Sequence, residues 1–472
     1  MTAPGLLWLS RAFRFGDNPA LLAALKEGPL LAVFVLDAAT RALGCAPRWR
    51  LERALRAFDA DLRRRSGQGV LVLEGEAQDV LPDLVRQTGA ARVHQAYWPE
   101  PAMQAAQGRV RKVLGDRLVL HPGHLLTHPG RLRTGQGGVY RVYSPFARAL
   151  RALGPDRPVA PAPERITGYS AGPRGLDLTT LNLAPDMYRG RAVLETFALP
   201  AGEAAALERL DRFLDQAGPY GAERDRPDLD ATSGLSEHLA LGEISPRTVW
   251  AISSLRAEAD PPQAAGITKF LSEVIWREFA WHLLIDFPHM AQTPWRPEWA
   301  EFPWQGKSAA LTRWQRAETG IALVDAGLRE MRVTGRMHNR VRMVVASWLT
   351  KHLLTDWRSG LAHFDDSLTD WDPAANAMNW QWVAGCGPDA APYFRIFNPE
   401  RQAEQFDPRA RYRNRWLAGW PGPPSAEASA YLDSAPPGWS ISPHWRGDGA
   451  DRAMAEGRNR ALAAFGAFRA DQ

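Results

Sequence analysis

The pattern of hydrophobic residues changes once along this chain of 472 residues, and the change constrains the fold. Residues 1–125 alternate short apolar runs with amphipathic segments. Five runs predict buried strands: GLLWLS, PLLAVFVLD, GVLVLEG, ARVHQAYW and DRLVLHPG. Strands that alternate with helices predict a parallel sheet covered on both faces, which is a doubly wound α/β domain. No G-x-G-x-x-G string follows the first strand, so the dinucleotide-binding fingerprint is absent.

The remainder of the chain has a different character. Residues 126–200 are rich in Pro, Gly and Arg, and this composition predicts a connector that runs over the surface. From residue 201 apolar residues recur at helical spacing without a convincing strand, which predicts an all-α domain over 201–472. A Pro-, Gly- and Ser-rich stretch follows residue 416, and a last helix is predicted near 448–469.

Charge and cysteine usage limit the class of protein. The formal net charge of +5 and the pI near 9.3 permit a nucleic-acid partner. Only two cysteines occur, Cys45 and Cys386, which excludes a disulfide framework and favours a reducing cytoplasm. The N-terminus lacks the basic region and cleavage site of a signal peptide, and no apolar stretch approaches the roughly 18 residues of a membrane span. We therefore expect a cytoplasmic protein, and a monomer.

Many of the nineteen tryptophans fall between Trp276 and Trp382. A core rarely needs so many indoles, because large rings are hard to bury fully and each N–H needs a partner. Indole is also readily oxidised by one electron. A file of indoles can therefore carry charge to an electron acceptor such as a flavin.

Two constellations of polar residues lie in the first part of the helical half. In Thr232–Ser236 three hydroxyls and a glycine precede an apolar run, a pattern that can seat a phosphate. The alternative is an ordinary N-cap, since Ser and Thr are favoured there. Glu273, Trp276 and Arg277 share one helix face at i, i+3 and i+4 and could clamp a polar aromatic ligand. Their alternative is an exposed ion pair beside a core tryptophan.

Two further constellations follow later in the chain. Asn339, Arg342 and Met343 lie on one predicted helix, with Arg340 pointing elsewhere. Asp370, Asp372 and Asn376 could read the donor and acceptor edge of a flavin. No His or Cys lies at ligand spacing from the two acids, so no metal site is predicted. His338, between Met337 and Asn339, is interpreted as a structural residue.

These constellations occur in one order in one family. The C-terminal half resembles the FAD-binding domain of the photolyase/cryptochrome family, through the strings TSGLS, LSEVIWREFAWHLL, TGRMHNRVRMVVASWLTKHLL and DWDPAANAMNWQWVAGCGPDAAPYFRIFNPERQ. FGDNPAL and GVYRVYSPFARAL are similar to the family as well. The resemblance extends to about residue 412. The chain looks most like the bacterial members that repair cyclobutane pyrimidine dimers in UV-damaged DNA.

The resemblance implies a bound FAD, active as reduced FADH⁻. The residues that would hold its phosphates and ribose are Tyr220, Thr232, Ser233, Gly234, Leu235 and Ser236. Those that would line the flavin ring are Arg277, Asn339, Arg342, Asp370, Trp371, Asp372 and Asn376. Asn376 would lie near the ring nitrogen N5, and Arg342 would pair with Asp370, which favours the negative charge of the reduced flavin. Gly234 stands where the family often has a basic residue.

The resemblance also implies a lesion pocket and an electron relay. Glu273 would hydrogen-bond the dimer bases, and Asn339 would border the pocket beside them. The other residues on the DNA side would be Arg224, Trp276, Arg340, Met343, Trp382 and Gln402. Trp380, Trp357 and Trp304 would relay electrons between the flavin and solvent. The implied reaction is light-driven electron transfer from FADH⁻ to a dimer turned out of the duplex.

Three other functions stay open at this point. A cryptochrome-type photoreceptor would keep FAD and the relay, but it need not keep the lesion pocket. A (6-4) photoproduct photolyase tends to carry a His pair where this chain has Met337-His338. A flavoprotein inactive in light would not need the three tryptophans. The N-terminal sequence has no clear antenna signature, so folate, deazaflavin, a second flavin or no antenna remain possible.

Overall fold

The structure, a computed structural model, describes residues 2–187, 189–389, 394–419, 423–447, 449–470 and 472. Residues 390–393, which belong to the last string of the resemblance, therefore lie outside the described residues. None of the described helices is both long and apolar enough to cross a bilayer.

The N-terminal region contains the parallel sheet that the apolar runs predict. Its strands are β1 Gly5–Leu9, β2 Leu30–Leu36, β3 Leu71–Glu74, β4 Val93–Ala96 and β5 Leu118–His121. They pair in parallel in the order β3-β2-β1-β4-β5, with Trp8 of β1 opposite Val33 of β2. Each strand falls within one of the five runs, so that prediction is confirmed.

Helices cover both faces of this sheet, as predicted. They are α1 Pro19–Glu27, α2 Ala38–Arg41, α3 Cys45–Ser66, α4 Ala77–Thr88 and α5 Pro101–Leu114, with a 3-10 turn at Gly115–Arg117. Successive side chains of a strand point to opposite faces. Leu7 and Leu9 of β1 accordingly join one apolar cluster with α1 and α3, and Leu6 and Trp8 join another with α4 and α5. The sheet is thus buried on both sides.

The segment 126–200 contains more structure than a surface connector. It forms a 3-10 turn at Pro129–Arg131, α6 at Tyr143–Leu153, a 3-10 turn at Pro185–Met187 and α7 at Arg189–Thr196. Phe146 and Leu150 of α6 are buried, and the Phe146 ring lies 5.2 Å from that of Phe279. The i, i+4 spacing of these apolar residues lets α6 pack into the helical half. Our division at 125 and 200 stays a prediction.

The remaining described residues fold into helices, as predicted. The first are α8 Glu203–Leu214, α9 Tyr220–Glu223, α10 Ser236–Leu241, α11 Pro246–Ala259, α12 Pro261–Asp286, α13 Ala309–Gln315, α14 Ala322–Thr334 and α15 Asn339–Ser347. A π-helical turn at Trp348–His352 continues α15. The later ones are α16 Trp357–Ser367, α17 Pro373–Ala384, α18 Pro399–Phe406, α19 Arg411–Trp416, α20 Ala426–Ser434 and α21 Ala450–Ala470, with 3-10 turns at Pro297–Glu301 and Pro437–Trp439.

The last helix is docked on the helical core. In α21 the ring of Phe465 stacks on Phe394 at 4.4 Å, and Arg460 donates to the backbone oxygen of His352 over 3.0 Å. Phe468 packs 5.2 Å from Trp299. The stretch after residue 416, for which the sequence indicates no role, thus covers the outside of the π-helical turn.

The two halves meet through buried charges. Arg50 of α3 is 1% exposed and donates to Glu237 over 2.8 Å and to Glu243 over 2.6 Å. Glu237 follows Ser236 in α10, and its other oxygen accepts the hydroxyl of Thr369 over 2.7 Å. Buried charges are tolerated only when they are paired in this way. The pairing fixes the TSGLS segment between the sheet domain and residue 369.

Candidate functional site

Arg342 and Asp370 form the predicted ion pair. Arg342 lies in α15, and its Nη2 atom is 2.8 and 3.1 Å from the two carboxylate oxygens of Asp370. Its Nε donates to the backbone oxygen of Met337 over 2.7 Å, which holds the guanidinium in place. Asp370 is 8% exposed. The pair therefore presents fixed donors and a positive charge inside the helical half.

Asp372 begins α17 as its N-cap. One carboxylate oxygen accepts the N–H of Ala375 over 2.9 Å, and the other accepts the indole N–H of Trp281 over 2.9 Å. The Nε atom of Arg277 lies 4.0 Å from the second oxygen. Burial raises the pKa of Asp372, and the charge of Arg277 opposes that rise. Asp372 is thus oriented by the helix start and lies beside a cation.

Asp365 is a site residue that the sequence analysis missed. It accepts hydrogen bonds from the indole N–H of Trp371 and from the amide of Asn376, two predicted flavin contacts. Burial raises its pKa to about 6, against the opposing effect of these two bonds. The acidic pair Asp365-Asp366 shortly before Trp371 was the available signal. Asp365 joins the two predicted residues into one polar cluster.

The Thr232–Ser236 segment does not act as an ordinary N-cap. α10 begins at Ser236, its N-cap is Leu235, and the described part of the chain supplies no side chain that caps it. Gly234 has φ of +62°, and an added Cβ there would lie 2.5 Å from Nη2 of Arg209. The Nε of Arg209 donates to the backbone oxygen of Ser233 over 2.8 Å. The guanidinium of Arg209 thus lies beside Gly234, the position at which the family often has a basic residue.

Tyr220 is buried at the start of α9. Its ring packs edge-on against Phe213 at 5.3 Å and Phe270 at 6.1 Å, and the guanidinium of Arg224 lies 5.5 Å from the ring centre. Burial raises the pKa of the Tyr220 phenol to about 12. The hydroxyl therefore stays protonated and can donate to an anionic ligand.

Glu273, Trp276 and Arg277 all lie on α12, as predicted, and the two charged residues pair with different partners. Glu273 forms an ion pair with Arg224, the residue that follows α9. Trp276 stacks on Tyr143, with ring centres 3.5 Å apart and planes 2° from parallel. The sequence analysis gave no role to Tyr143.

Arg277 lies one helical turn after Glu273, and its contacts reach His124 beside the sheet domain. It donates to the backbone oxygen of His124 over 3.1 Å and to Glu278 over 3.0 Å, and its Nη2 lies 3.0 Å from the His124 ring nitrogens. Its Nε has no hydrogen-bond partner among the residues that the structure describes. Burial lowers the pKa of His124 well below the usual range, so this ring stays neutral beside the guanidinium.

Arg340 lies near the Glu273–Arg224 pair and contacts the helix that carries Gln402. Arg340 donates to Asp225 over 2.7 Å, and Asp225 also lies 3.9 Å from Arg224, the partner of Glu273. The guanidinium of Arg340 lies 4.4 Å from the centre of the Phe406 ring in α18, the helix that carries Gln402. These contacts connect two of the predicted DNA-side arginines.

Asn339, Met343 and Trp382 complete the predicted rim. Asn339 is exposed as the first residue of α15, and Met343 follows one turn later, half-buried. His338 is the N-cap of α15, where Nδ1 accepts the N–H of Arg340 over 3.2 Å, and its interpretation as a structural residue stays a prediction. Trp382 in α17 is half-buried, and its indole N–H donates to the backbone oxygen of Asp389 over 3.1 Å.

Of the three predicted relay tryptophans, the two inner ones are buried and the outermost is the more exposed. Trp380 and Trp357 are 2% and 1% exposed, and Trp304 is half-buried. The Trp380 ring fills the space above Gly360, which lies three residues after Trp357 in α16. Trp380 therefore packs one helical turn from Trp357.

Backbone pairing brings the outer tryptophan to the same helix. Gln305 donates its N–H to Leu354 over 2.7 Å and accepts the N–H of Asp356 over 3.0 Å. Trp304 directly precedes Gln305 in the chain, and Trp357 directly follows Asp356. The backbone at Trp304 therefore lies close to the start of α16, which begins with Trp357.

Known proteins match both halves of the chain. A model described as DNA photolyase matches residues 5–164, and one described as FAD binding domain of DNA photolyase matches residues 270–432. Deoxyribodipyrimidine photo-lyase of Agrobacterium fabrum is 42% identical over 88% of this chain and 87% of its own length. An enzyme of that name from Thermus thermophilus is 38% identical over 89% of this chain and 93% of its own length.

Solved structures show the same fold. A bacterial class III photolyase from Agrobacterium tumefaciens superposes with a TM-score of 0.85 at 36% identity, covering 99% of this chain and 98% of that one. A cryptochrome from Synechocystis has a TM-score of 0.81 over 96% of this chain and 98% of its own, and at 23% identity it shows the fold alone. With two family models and relatives of this identity spanning both halves, the chain belongs to the DNA photolyase family.

Proposed function

We propose that this protein splits cyclobutane pyrimidine dimers in DNA in a light-driven reaction, as a deoxyribodipyrimidine photo-lyase. The observation that carries the proposal is the arrangement of α12. Arg277 on this helix lies beside the Asp372 carboxylate, and Glu273 and Trp276 lie within one turn of it. We assign these two residues to the DNA side. Four residues of helix span about 6 Å, so cofactor and lesion would lie within electron-transfer reach. The name shared by the relatives supports this activity.

The polar cluster fits an FAD. The unpartnered Nε of Arg277, the uncapped Thr232–Ser236 segment and the Arg342–Asp370 pair offer donors and positive charge to an anionic ligand. In our proposal Tyr220 and Thr232–Ser236 hold the phosphates and ribose. The ring is lined by Arg277, Asn339, Arg342, Asp370, Trp371, Asp372 and Asn376. Bound FAD, in the reduced state FADH⁻, would supply the photoexcited electron that opens the cyclobutane ring and would regain it once the ring has split.

The protein residues bind and orient the lesion. Extruding a dimer from the duplex costs a few kcal/mol, and less at a damaged step, which favours lesions over intact DNA. Trp276 and Trp382 offer ring faces to the extruded bases, and Met343 adds apolar surface. Glu273 is a hydrogen-bonding partner for the base edges once it exchanges its contact with Arg224. Arg224 and Arg340 would then bind phosphates, with Gln402 on the same side.

Two rival functions are less well supported. A cryptochrome-type photoreceptor does not require Glu273, Trp276, Asn339, Met343 and Trp382 together. A (6-4) photolyase is disfavoured because Met337 is 3% exposed, so only His338 of that dipeptide could face a ligand. We further propose a monomeric protein of the cytoplasm. An archaeal photolyase from Sulfolobus tokodaii contains two FAD molecules, and a light-harvesting role is implied for one of them. A second flavin is accordingly one of the antenna candidates for this chain.

The test uses the chemically reduced holoprotein and an oligonucleotide with a single thymine dimer, under blue light and in the dark. Restored thymines in the light arm only are expected. Repair of a (6-4) oligonucleotide alone would favour the (6-4) photolyase, and flavin photoreduction without any repair would favour the photoreceptor. Either outcome, or repair in the dark, would contradict the proposal.

A matched pair of variants tests the site within that assay. Glu273→Ala should lower the repair yield about tenfold or more with FAD still bound, because a hydrogen-bonding group to the bases is removed. The control is Glu208→Ala, which removes an exposed carboxylate that pairs with Arg212 of the same helix. Equal yields in the two variants would show that Glu273 is not in the lesion pocket.

A further inference from the structure

Tyr143 makes two contacts with the helix that carries Trp276. Its ring lies parallel to the Trp276 indole at 3.5 Å, with 2° between the planes. Its hydroxyl donates to the backbone oxygen of Ser272 over 2.9 Å, one turn before Trp276. The ring of Phe279 packs edge-on to the Tyr143 ring, with the ring centres 6.0 Å apart. A parallel neighbour of this kind restricts the rotation of the indole, because turning the ring would break the stack.

The start of α6 lies near the second indole of the predicted pocket. As the first residue of α6, Tyr143 has an N–H without an acceptor inside its own helix. Burial raises the pKa of the Asp389 carboxyl group, and the nearby N–H of Tyr143 opposes that rise. The backbone oxygen of Asp389 accepts the indole N–H of Trp382 over 3.1 Å. Tyr143 thus contacts Trp276 directly and lies near the residue that contacts Trp382.

We propose that Tyr143 is a positioning residue that holds Trp276 in the orientation needed to receive an extruded pyrimidine dimer. The inference rests on the proposed function and extends it to the segment 126–200. Indoles that are already oriented lose less rotational freedom when the bases arrive, so the affinity for damaged DNA rises. Undamaged DNA does not enter the pocket, and its affinity depends on phosphate contacts instead.

The hydroxyl of Tyr143 remains a donor over the working range of the protein. Burial raises its pKa to about 12, with a smaller contribution from the nearby Glu273 carboxylate. The contact with Ser272 is therefore constant from neutral to mildly alkaline pH. We assign the larger effect to the ring, since the stack is the contact that touches Trp276 itself.

The experiment measures the Kd of the FAD-loaded protein for a thymine-dimer duplex and for the same undamaged duplex. Tyr143→Leu should weaken binding of damaged DNA about tenfold, in line with the loss of an aromatic pair and of its ordering effect. Affinity for undamaged DNA, FAD content and flavin photoreduction should stay within twofold of the parent. Tyr143→Phe keeps the ring and should bind damaged DNA within about threefold of the parent.

The control is Tyr140→Leu, which removes a half-buried tyrosine of the same segment that lies 6.1 Å from Phe146. It should leave the preference for damaged DNA unchanged. If Tyr143→Leu fails to retain FAD, Tyr143→Met serves as the second variant, because its long side chain fills more of the vacated space. Either variant should reduce the preference for damaged DNA about tenfold.

A double variant separates positioning from direct contact with the bases. In a Trp276→Leu background, Tyr143→Leu should change the Kd for damaged DNA by less than about threefold, since the indole that it orients is gone. Full additivity of the two changes would overturn the inference, as would an equal loss of affinity for damaged and undamaged DNA. A parent protein without any preference for dimers would instead refute the proposed function on which the inference rests.

Discussion

The indole of Trp380 occupies the space in which a side chain on Gly360 would stand. Gly360 lies in α16, and a Cβ added to it would collide with the outer edge of the Trp380 ring. Phe364, one turn further along, meets the same ring edge-on at 4.9 Å. Because Gly360 has no side chain, the buried indole of Trp380 can pack directly against α16, the helix that begins with Trp357.

Replacing Trp380 should interrupt the relay and leave the lesion pocket intact. Trp380→Phe is expected to slow photoreduction of oxidised FAD at least tenfold, because a phenyl ring is far harder to oxidise than an indole. Repair by chemically reduced protein should stay near the parent level. Flash absorption spectroscopy measures the first quantity and dimer repair the second. Equal photoreduction in variant and parent would remove Trp380 from the relay.

A side chain at position 360 should displace Trp380. Gly360→Ala is expected to destabilise the protein by about 1–3 kcal/mol through overpacking, and to slow photoreduction as well. Gly108 in α5 is the matched control, since a Cβ there meets nothing within 4 Å. Gly108→Ala should be neutral or stabilising by up to about 1 kcal/mol. Urea unfolding gives both values, and an unchanged Gly360→Ala protein would refute the close contact.

Loss of the Arg342 guanidinium should affect both stability and cofactor affinity. Arg342→Gln leaves the buried Asp370 carboxylate without its cation, at a cost of about 1–2 kcal/mol given the partial exposure of Arg342. FAD affinity should fall, and the reduction potential of bound flavin should become more negative. Adding Asp370→Asn should recover much of the stability without restoring the potential. Unfolding and spectroelectrochemical titrations check these outcomes, and an unaltered potential would contradict a ring-side location for the pair.

The pH dependence of stability should include a contribution from His338. Burial lowers its pKa to about 4 from the ordinary 6.5, and its Nδ1 is an acceptor for the Arg340 N–H. The folded form therefore favours the neutral ring, and its stabilising effect is present above pH 6.5 and is lost as the pH falls toward 4. His338→Asn keeps an N-cap acceptor that does not titrate. Its free energy of unfolding relative to the parent should increase between pH 6.5 and 4, and a constant difference would contradict this role.

Local patterns were sufficient to predict the sheet and the helical half. Runs such as PLLAVFVLD are apolar on both faces, which is typical of a strand in a parallel sheet. The sequence of 126–200 was misleading because Pro and Gly outnumber the few apolar residues of α6. Phe146 and Leu150 are enough to bury that helix once α12 lies beside it, but a tertiary contact of this kind leaves no mark in local composition.

The site was predictable only where residues could be matched to a family. Arg342 and Asp370 were assigned as a pair in this way, and their geometry agrees. The contact of Arg277 with His124 spans 153 residues and joins two domains, so no spacing rule could find it. The sequence analysis missed Arg209 and Asp365 for a related reason. Arg209 donates to a backbone oxygen, and Asp365 contacts Trp371 and Asn376, to which the resemblance had already given other roles.

The salt bridges of Arg50 have an evolutionary consequence. This guanidinium, which belongs to the sheet half, pairs with Glu237 and Glu243 of the helical half. An exchange of N-terminal domains between distant relatives would therefore leave these two buried carboxylates next to TSGLS without a cation. The exception would be an incoming domain that carries its own basic residue at this position. Chimeras would thus be expected to lose their bound flavin. Recombination between such genes should be tolerated mainly where the donor carries a matching basic residue in the corresponding helix.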